Sequence, residues 1–203
     1  MKKAFFITLF LSSISMNAQT IYKPNKEFVF FAKYLTDTAK DSCYISMWTT
    51  ENTWDFDSKQ YELIYAYRNV SDSLVEEWPY QNSETTGLIE NQKMIWMHPP
   101  RSDKFSILEY FPFPEINFPV KCGKEYKRAF LGHIDFLEKS GYVRYKICIH
   151  CDGNKTEIIG NAHNKLGDWN AQYIFDNQCG FTKMEYHYNN TIIKLELVDI
   201  IEH

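Results

Sequence analysis

Hydrophobic and polar residues alternate along much of this chain, most cleanly in its second half. Between Tyr142 and Cys151, residues Val143, Tyr145, Ile147, Ile149 and Cys151 fall on one face of an extended segment. Tyr142, Arg144, Lys146, Cys148 and His150 fall on the other, the period-two pattern of a half-buried strand. Asp152-Gly153-Asn154 then supplies a hairpin signal. With Gly153-Asn154 as the loop, Asp152 is expected opposite Lys155, His150 opposite Glu157 and Ile149 opposite Ile158. The last hairpin can be placed in register the same way. Asparagine tolerates positive φ, so Asn189-Asn190 serves as its turn, setting Tyr186 against Ile193, Met184 against Leu195, Glu185 against Lys194 and Lys183 against Glu196. Two apolar pairs and two opposite-charge pairs coincide, each worth about 0.2–1 kcal/mol. A slip of one residue would lose all four.

Tyr126–Phe136 also alternates, with Ser140-Gly141 read as the turn that follows it. Earlier strands are expected near Glu27–Leu35, Cys43–Thr50, Tyr61–Val70, Leu88–Met97 and Phe105–Tyr110. Asp37–Ser42 and Glu51–Gln60 are polar connections, and Ser71–Thr86 is the longest polar segment, a loop or a short helix. No window carries a sustained apolar stripe of helical period. The expected fold is all-β: an antiparallel meander of about ten strands forming a sandwich or a partly open barrel, with little helix. A parallel α/β fold lacks its crossover helices here.

The 203-residue chain opens with Lys2 and Lys3, a short apolar run from Ala4 to Ile14, and Ser15-Met16-Asn17-Ala18. This is the layout of a secretory signal over residues 1–18, with Gln19 as the new N-terminus. The apolar run is well short of the ~20 residues of a membrane-spanning helix. Residues 19–203 are then expected as a single β-rich domain, exported to the periplasm or beyond the cell. Removing two lysines takes the net charge from −4 to about −6. A mildly acidic chain without a basic run does not suit nucleic acid. Export permits disulfides. Of the five cysteines, Cys43, Cys122, Cys151 and Cys179 are the candidates, and an odd count leaves at least one thiol free or paired between molecules. Their spacing fixes no pairing.

Cys148 and Cys151 form a C-x-x-C, but residues three apart on a strand point to opposite faces, so a shared metal or an active dithiol is not expected. His150, Glu157 and His163 on the next hairpin read as solvated surface. No nucleophile elbow, zinc-protease, phosphate-loop or calcium-loop motif is present, and nothing in the sequence calls for a cofactor.

The remaining candidate chemistry lies in Ile95–Pro119, which holds five of the seven prolines. Pro99 and Pro100 remove backbone donors and favour an extended corner. His98, Arg101, Asp103 and Glu109 follow in quick succession, then Phe111-Pro112-Phe113-Pro114. The bland reading is a stiff corner whose arginine pairs internally with Asp103 or Glu109, over a packed aromatic lid. The functional reading makes His98, Arg101, Asp103, Glu109, Phe111 and Phe113 a ligand site. Taken together, His-Pro-Pro-Arg at 98–101, Phe-Pro-Phe-Pro at 111–114, Gly-Phe-Thr-Lys-Met-Glu-Tyr at 180–186 and the asparagine-turn hairpin resemble exported β-rich proteins of Bacteroidota-type bacteria. That group carries no established activity to transfer. At the level of architecture the layout is similar to lipocalin-like barrels and lipoprotein-carrier half-barrels, although a Gly-x-Trp signature is missing near the start. The resulting expectation is a non-enzymatic exported protein that binds a hydrophobic or lipid-like molecule. Its alternatives are a hydrolase or isomerase using His98 and Arg101, with Glu109 orienting His98, and an envelope interaction protein working through the Phe111–Pro119 patch.

Overall fold

The computed structural model describes residues 20–70, 83–134, 139–165 and 167–203, with backbone alone at 130–134 and 139–142. The expected signal segment, most of Ser71–Thr86, and Phe136 lie outside the described residues. Among the described residues there are twelve strands: β1 Lys26–Leu35, β2 Lys40–Trp54, β3 Asp57–Asn69, β4 Ser83–Glu90, β5 Met94–Met97, β6 Glu115–Asn117, β7 Glu125–Ile134, β8 Lys139–Asp152, β9 Lys155–Asn164, β10 Gly167–Asp176, β11 Gly180–Tyr188 and β12 Thr191–Glu202. All pairings are antiparallel, in one sheet ordered β6-β5-β4-β3-β2-β1-β12-β11-β10-β9-β8-β7. The two ends of the described chain therefore meet at the centre of the sheet, and the middle of the chain connects its two outer edges. The edges do not hydrogen-bond to each other as strands, so the sheet is an open, curved meander and not a closed barrel.

Both hand-set registers match the structure. Lys155 lies opposite Asp152, Glu157 opposite His150 and Ile158 opposite Ile149. Ile193, Leu195, Lys194 and Glu196 lie opposite Tyr186, Met184, Glu185 and Lys183, and Asn189 takes φ 48° in the turn. Val143, Tyr145, Ile147 and Ile149 are buried, as their alternation predicts.

Three expectations are corrected. Leu88–Met97 is not one strand: Asn91 folds it back, its side-chain Oδ1 accepting from Lys93 N (2.8 Å) and Met94 N (3.1 Å), so β4 and β5 are separate. Ser140-Gly141 is not a turn but lies inside β8. Phe105–Tyr110 is not a strand but part of a 3-10 helix, Asp103–Tyr110. The reason for the last is visible in the burial. Phe105, Leu108 and Phe111 recur every third residue and are 2%, 0% and 1% exposed, while Ser106 and Glu109 face out. Three residues per turn is the 3-10 repeat.

The segment from His98 to Pro114 leaves the end of β5, folds over the sheet's inner face and returns to pair beside β5 as β6. Phe111 sits 5.2 Å from the rings of both Trp169 and Tyr186. Pro99, Pro100, Pro112 and Pro114 are buried. Proline has no N–H but keeps its carbonyl, and a buried carbonyl needs a donor. Inner-face tyrosines supply three along this segment: Tyr65 Oη donates to His98 O (2.7 Å), Tyr145 Oη to Tyr110 O (3.0 Å), and Tyr173 Oη to Pro112 O. Burial pushes all three phenols well above their ordinary pKa, so they remain donors.

The open seam is also latched. Arg128 of β7 reaches both carboxylate oxygens of Glu115 in β6. On the β7 side of the seam, Cys122, just before β7, is bonded to Cys151 of the adjacent β8. Just before β1, the backbone N–H groups of Ile21 (2.7 Å) and Tyr22 (3.0 Å) donate to Glu90 at the end of β4. Tyr22 then lies against Gly180, whose φ is +78° and where a Cβ would stand 2.3 Å from the tyrosine oxygen. Only glycine suits that backbone and that gap.

Candidate functional site

The crossing segment divides the six candidate ligand residues among three surroundings. Phe111 is in the core. His98 and Phe113 belong to a ring cluster around the β5 edge. The His98 imidazole lies 5.1 Å from Trp54, 4.8 Å from Trp96 and 4.8 Å from Phe113. Gly87 leaves room for the Gln60 and Trp54 side chains beside it, since a Cβ there would be 1.8 Å from Gln60 Oε1 and 2.8 Å from the Trp54 ring. Burial first, then the nearby Arg101 charge, push the His98 pKa down to about 4. The His98 Nδ1 is buried without a hydrogen-bond partner.

Arg101 and Asp103 lie at the start of the 3-10 helix, and Glu109 lies near its end. Arg101 Nη1 pairs with Glu109 Oε1 (3.3 Å), and its Nη2 donates to Thr85 O (3.3 Å). Glu109 thus holds Arg101, and among the described residues no hydrogen bond joins Glu109 to His98. The triad required for acid–base chemistry at His98 is not assembled in this arrangement.

Asp103 leads to a cavity. At one open end of the inner face, between β2, β3, β4 and the start of the 3-10 helix, a space of about 630 Å³ is lined by residues that include Asp41, Cys43, Tyr67, Glu84, Asp103 and Phe105. Strand parity brings these groups together. Cys43 and Tyr67 share the inward parity of Ile45 and Tyr65, both fully buried. Phe105, from the helix, stacks on Tyr67 with centroids 5.6 Å apart and planes at 21°. The floor is therefore aromatic and apolar, and burial pushes the Cys43 thiol pKa up.

The rim is polar. Glu84 Oε1 accepts from Tyr67 Oη (2.5 Å) and Arg101 N (2.8 Å), and Glu84 Oε2 from Ser102 Oγ (2.5 Å). Burial, and next the Glu84 charge, push the Tyr67 phenol well above its ordinary pKa. Lys104 pairs with Asp41 within the same lining. Asp103, at φ 50°, is exposed at the mouth.

Sequence reasoning missed most of this lining. In the sequence Tyr67 reads only as a strand residue, Glu84 lies inside the polar segment Ser71–Thr86, and Phe105 reads as strand where the structure has the 3-10 helix. The alternation of β3, which turns Tyr67 to the same side as Leu63 and Tyr65, was the usable clue.

The cysteines fall in different places. Cys43 is a buried thiol, while Cys148 and Cys179 are free and partly exposed. Cys148 Sγ lies 3.5 Å from Glu125 Oε1, and Cys151 is committed to Cys122, so the C-x-x-C pair does not act as a unit. Among the described residues no group of three histidine, cysteine, aspartate or glutamate side chains could hold a metal ion, and no helix is long and apolar enough to cross a membrane.

No family model and no curated protein matches this chain. Among solved structures it is similar to a Bacteroides fragilis protein of YMCC-like fold, inferred to be exported, with a TM-score of 0.46 and 9% identity over 89% of this chain and 97% of that one. The likeness is one of general chain path and assigns no residue a role.

Proposed function

We propose that this chain is an exported, non-enzymatic binding protein whose ligand enters the cavity between β2, β3, β4 and the start of the 3-10 helix. One observation carries the reading: a space of about 630 Å³ with an aromatic floor and a polar rim opens at the end of the inner face. That volume falls within the range of small-molecule sites; Cys43, Tyr67 and Phe105 supply the apolar part of a lining that is otherwise polar. The hydrophobic part of a ligand would lie on Tyr67, Phe105 and Cys43. The deeper inner face is already filled by Leu108, Phe111 and Pro112, so the ligand is held at the mouth and does not thread the sheet as in a hollow barrel. Export is consistent with the Cys122–Cys151 bond.

Cys43 provides the test. Thiol alkylation, mapped by peptide mass spectrometry, is compared with and without decyl glucoside below its micellar concentration. Protection of Cys43 with unchanged labelling of Cys148 and Cys179 is expected. Equal labelling of Cys43 in both conditions, across the soluble range of the probe, would sink the proposal.

A further inference from the structure

We infer that the cavity takes a ligand with a cationic head, an organic ammonium ion on an apolar chain. This rests on the binding reading above and adds the sign of the ligand's charge.

The inference comes from following each charged group to its partner. Three basic side chains stand at or beside the cavity: Arg68, Arg101 and Lys104. Arg68 Nη2 is 3.7 Å from Glu27 Oε1 and donates to Ser46 Oγ (2.9 Å). Arg101 pairs with Glu109. Lys104 pairs with Asp41. Each base is thus balanced by a carboxylate, and two carboxylates of the lining are left over, Glu84 and Asp103. Neither forms an ion pair with a basic side chain among the described residues. The three groups that bond Glu84 are neutral: a phenol, a backbone amide and a serine hydroxyl. They spread its charge over both oxygens without cancelling it.

Two negative charges beside an aromatic floor form a receptor for a cation. Attraction between unlike charges strengthens where water is partly excluded, and ring faces add a cation–π term. The chain already shows this arrangement with its own lysine. Lys104 Nζ sits 5.5 Å from the Phe105 ring centroid while it binds the Asp41 carboxylate. A guest ammonium would make the equivalent contacts with Glu84 and Asp103, and its chain would run over Tyr67 toward Cys43. An anionic head would meet two uncompensated carboxylates.

Isothermal titration with three amphiphiles of equal chain length separates the possibilities. Decyltrimethylammonium, decanoate and decyl glucoside are each used below their micellar concentrations at low salt. Decyltrimethylammonium is expected to bind at least about tenfold tighter than decanoate, a difference of about 1.4 kcal/mol. The advantage should shrink as salt is raised. Glu84→Gln and Asp103→Asn should each reduce it while leaving decyl glucoside affinity unchanged. Asp199→Asn, on β12, should leave the preference intact, which separates local charge from the net charge of the chain. Asp103 is exposed, so its variant keeps the test open if Glu84→Gln fails to fold. Decanoate binding as tightly as the cation, or a preference that survives both cavity variants, overturns the charge assignment alone. Failure of all three amphiphiles to bind overturns the cavity reading with it.

Discussion

Replacing Tyr173 by phenylalanine removes one oxygen and leaves the Pro112 carbonyl buried without its donor. An unsatisfied buried acceptor costs about 1–3 kcal/mol, so Tyr173→Phe should lower the urea midpoint accordingly. Tyr44→Phe, on the outer face, should not. His98 makes a different prediction because its proton is unwelcome in the fold. Its folded pKa, about 4, lies below the ordinary value of 6.5. Between those values the unfolded chain binds more protons than the folded one, so stability falls as pH drops from about 6.5 to about 4. His98→Phe should flatten that part of the pH–stability curve. Glu185 acts at lower pH. Burial alone would raise its pKa, but hydrogen bonds from Lys183, His187 and Lys194 outweigh burial and hold the carboxyl down to about 2. Its contribution is present above the ordinary carboxylate pKa and is lost as pH falls toward 2.

Between elements, the open seam sets the stability problem. The Cys122–Cys151 bond closes a loop across a sequence separation of 29 residues. Its loss should cost about 3–4 kcal/mol in the chain-entropy account, measured as the drop in unfolding free energy of the Cys122→Ser, Cys151→Ser double variant. Cys148→Ser should be near neutral. Arg128 holds a carboxylate that is only 6% exposed, whereas the Lys146–Glu125 pair is more than half exposed at both side chains. Arg128→Met should therefore destabilise more than Lys146→Met, because it strands a buried charge. These elements also show what the sequence could and could not disclose. Hairpins with short turns are local, and the registers of β8–β9 and β11–β12 followed from side-chain pairing alone. The 3-10 helix was hidden because apolar residues in FSILEY fit a two-residue period at Phe105 and Ile107 as readily as a three-residue one. Burial of Leu108 and Phe111 decides between them, and burial is a tertiary property. The candidate site was hidden for the same reason. Glu84 and Tyr67 meet Ser102 only because the crossing segment folds back over β3 and β4. Proline spacing marks that segment as stiff without saying where it goes.

For the molecule as a whole, one curved sheet lays its inner face against its own proline-rich middle, pinned by tyrosines, and leaves a pocket at one end. The expectation of a hollow carrier and the structure differ at this point, since the apolar surface such a carrier would offer to lipid is occupied by Leu108, Phe111 and Pro112. The proposed binding is therefore placed at the mouth. Photolabelling tests that placement most directly. A decyltrimethylammonium analogue with a diazirine at the chain end, irradiated with the folded protein and mapped by peptide mass spectrometry, should mark Cys43, Tyr67 and the Ser102–Phe105 stretch. Labels concentrated on Phe30, Trp169, Phe181 or Tyr186, deep on the inner face, would show that the crossing segment yields to the ligand and would contradict the account.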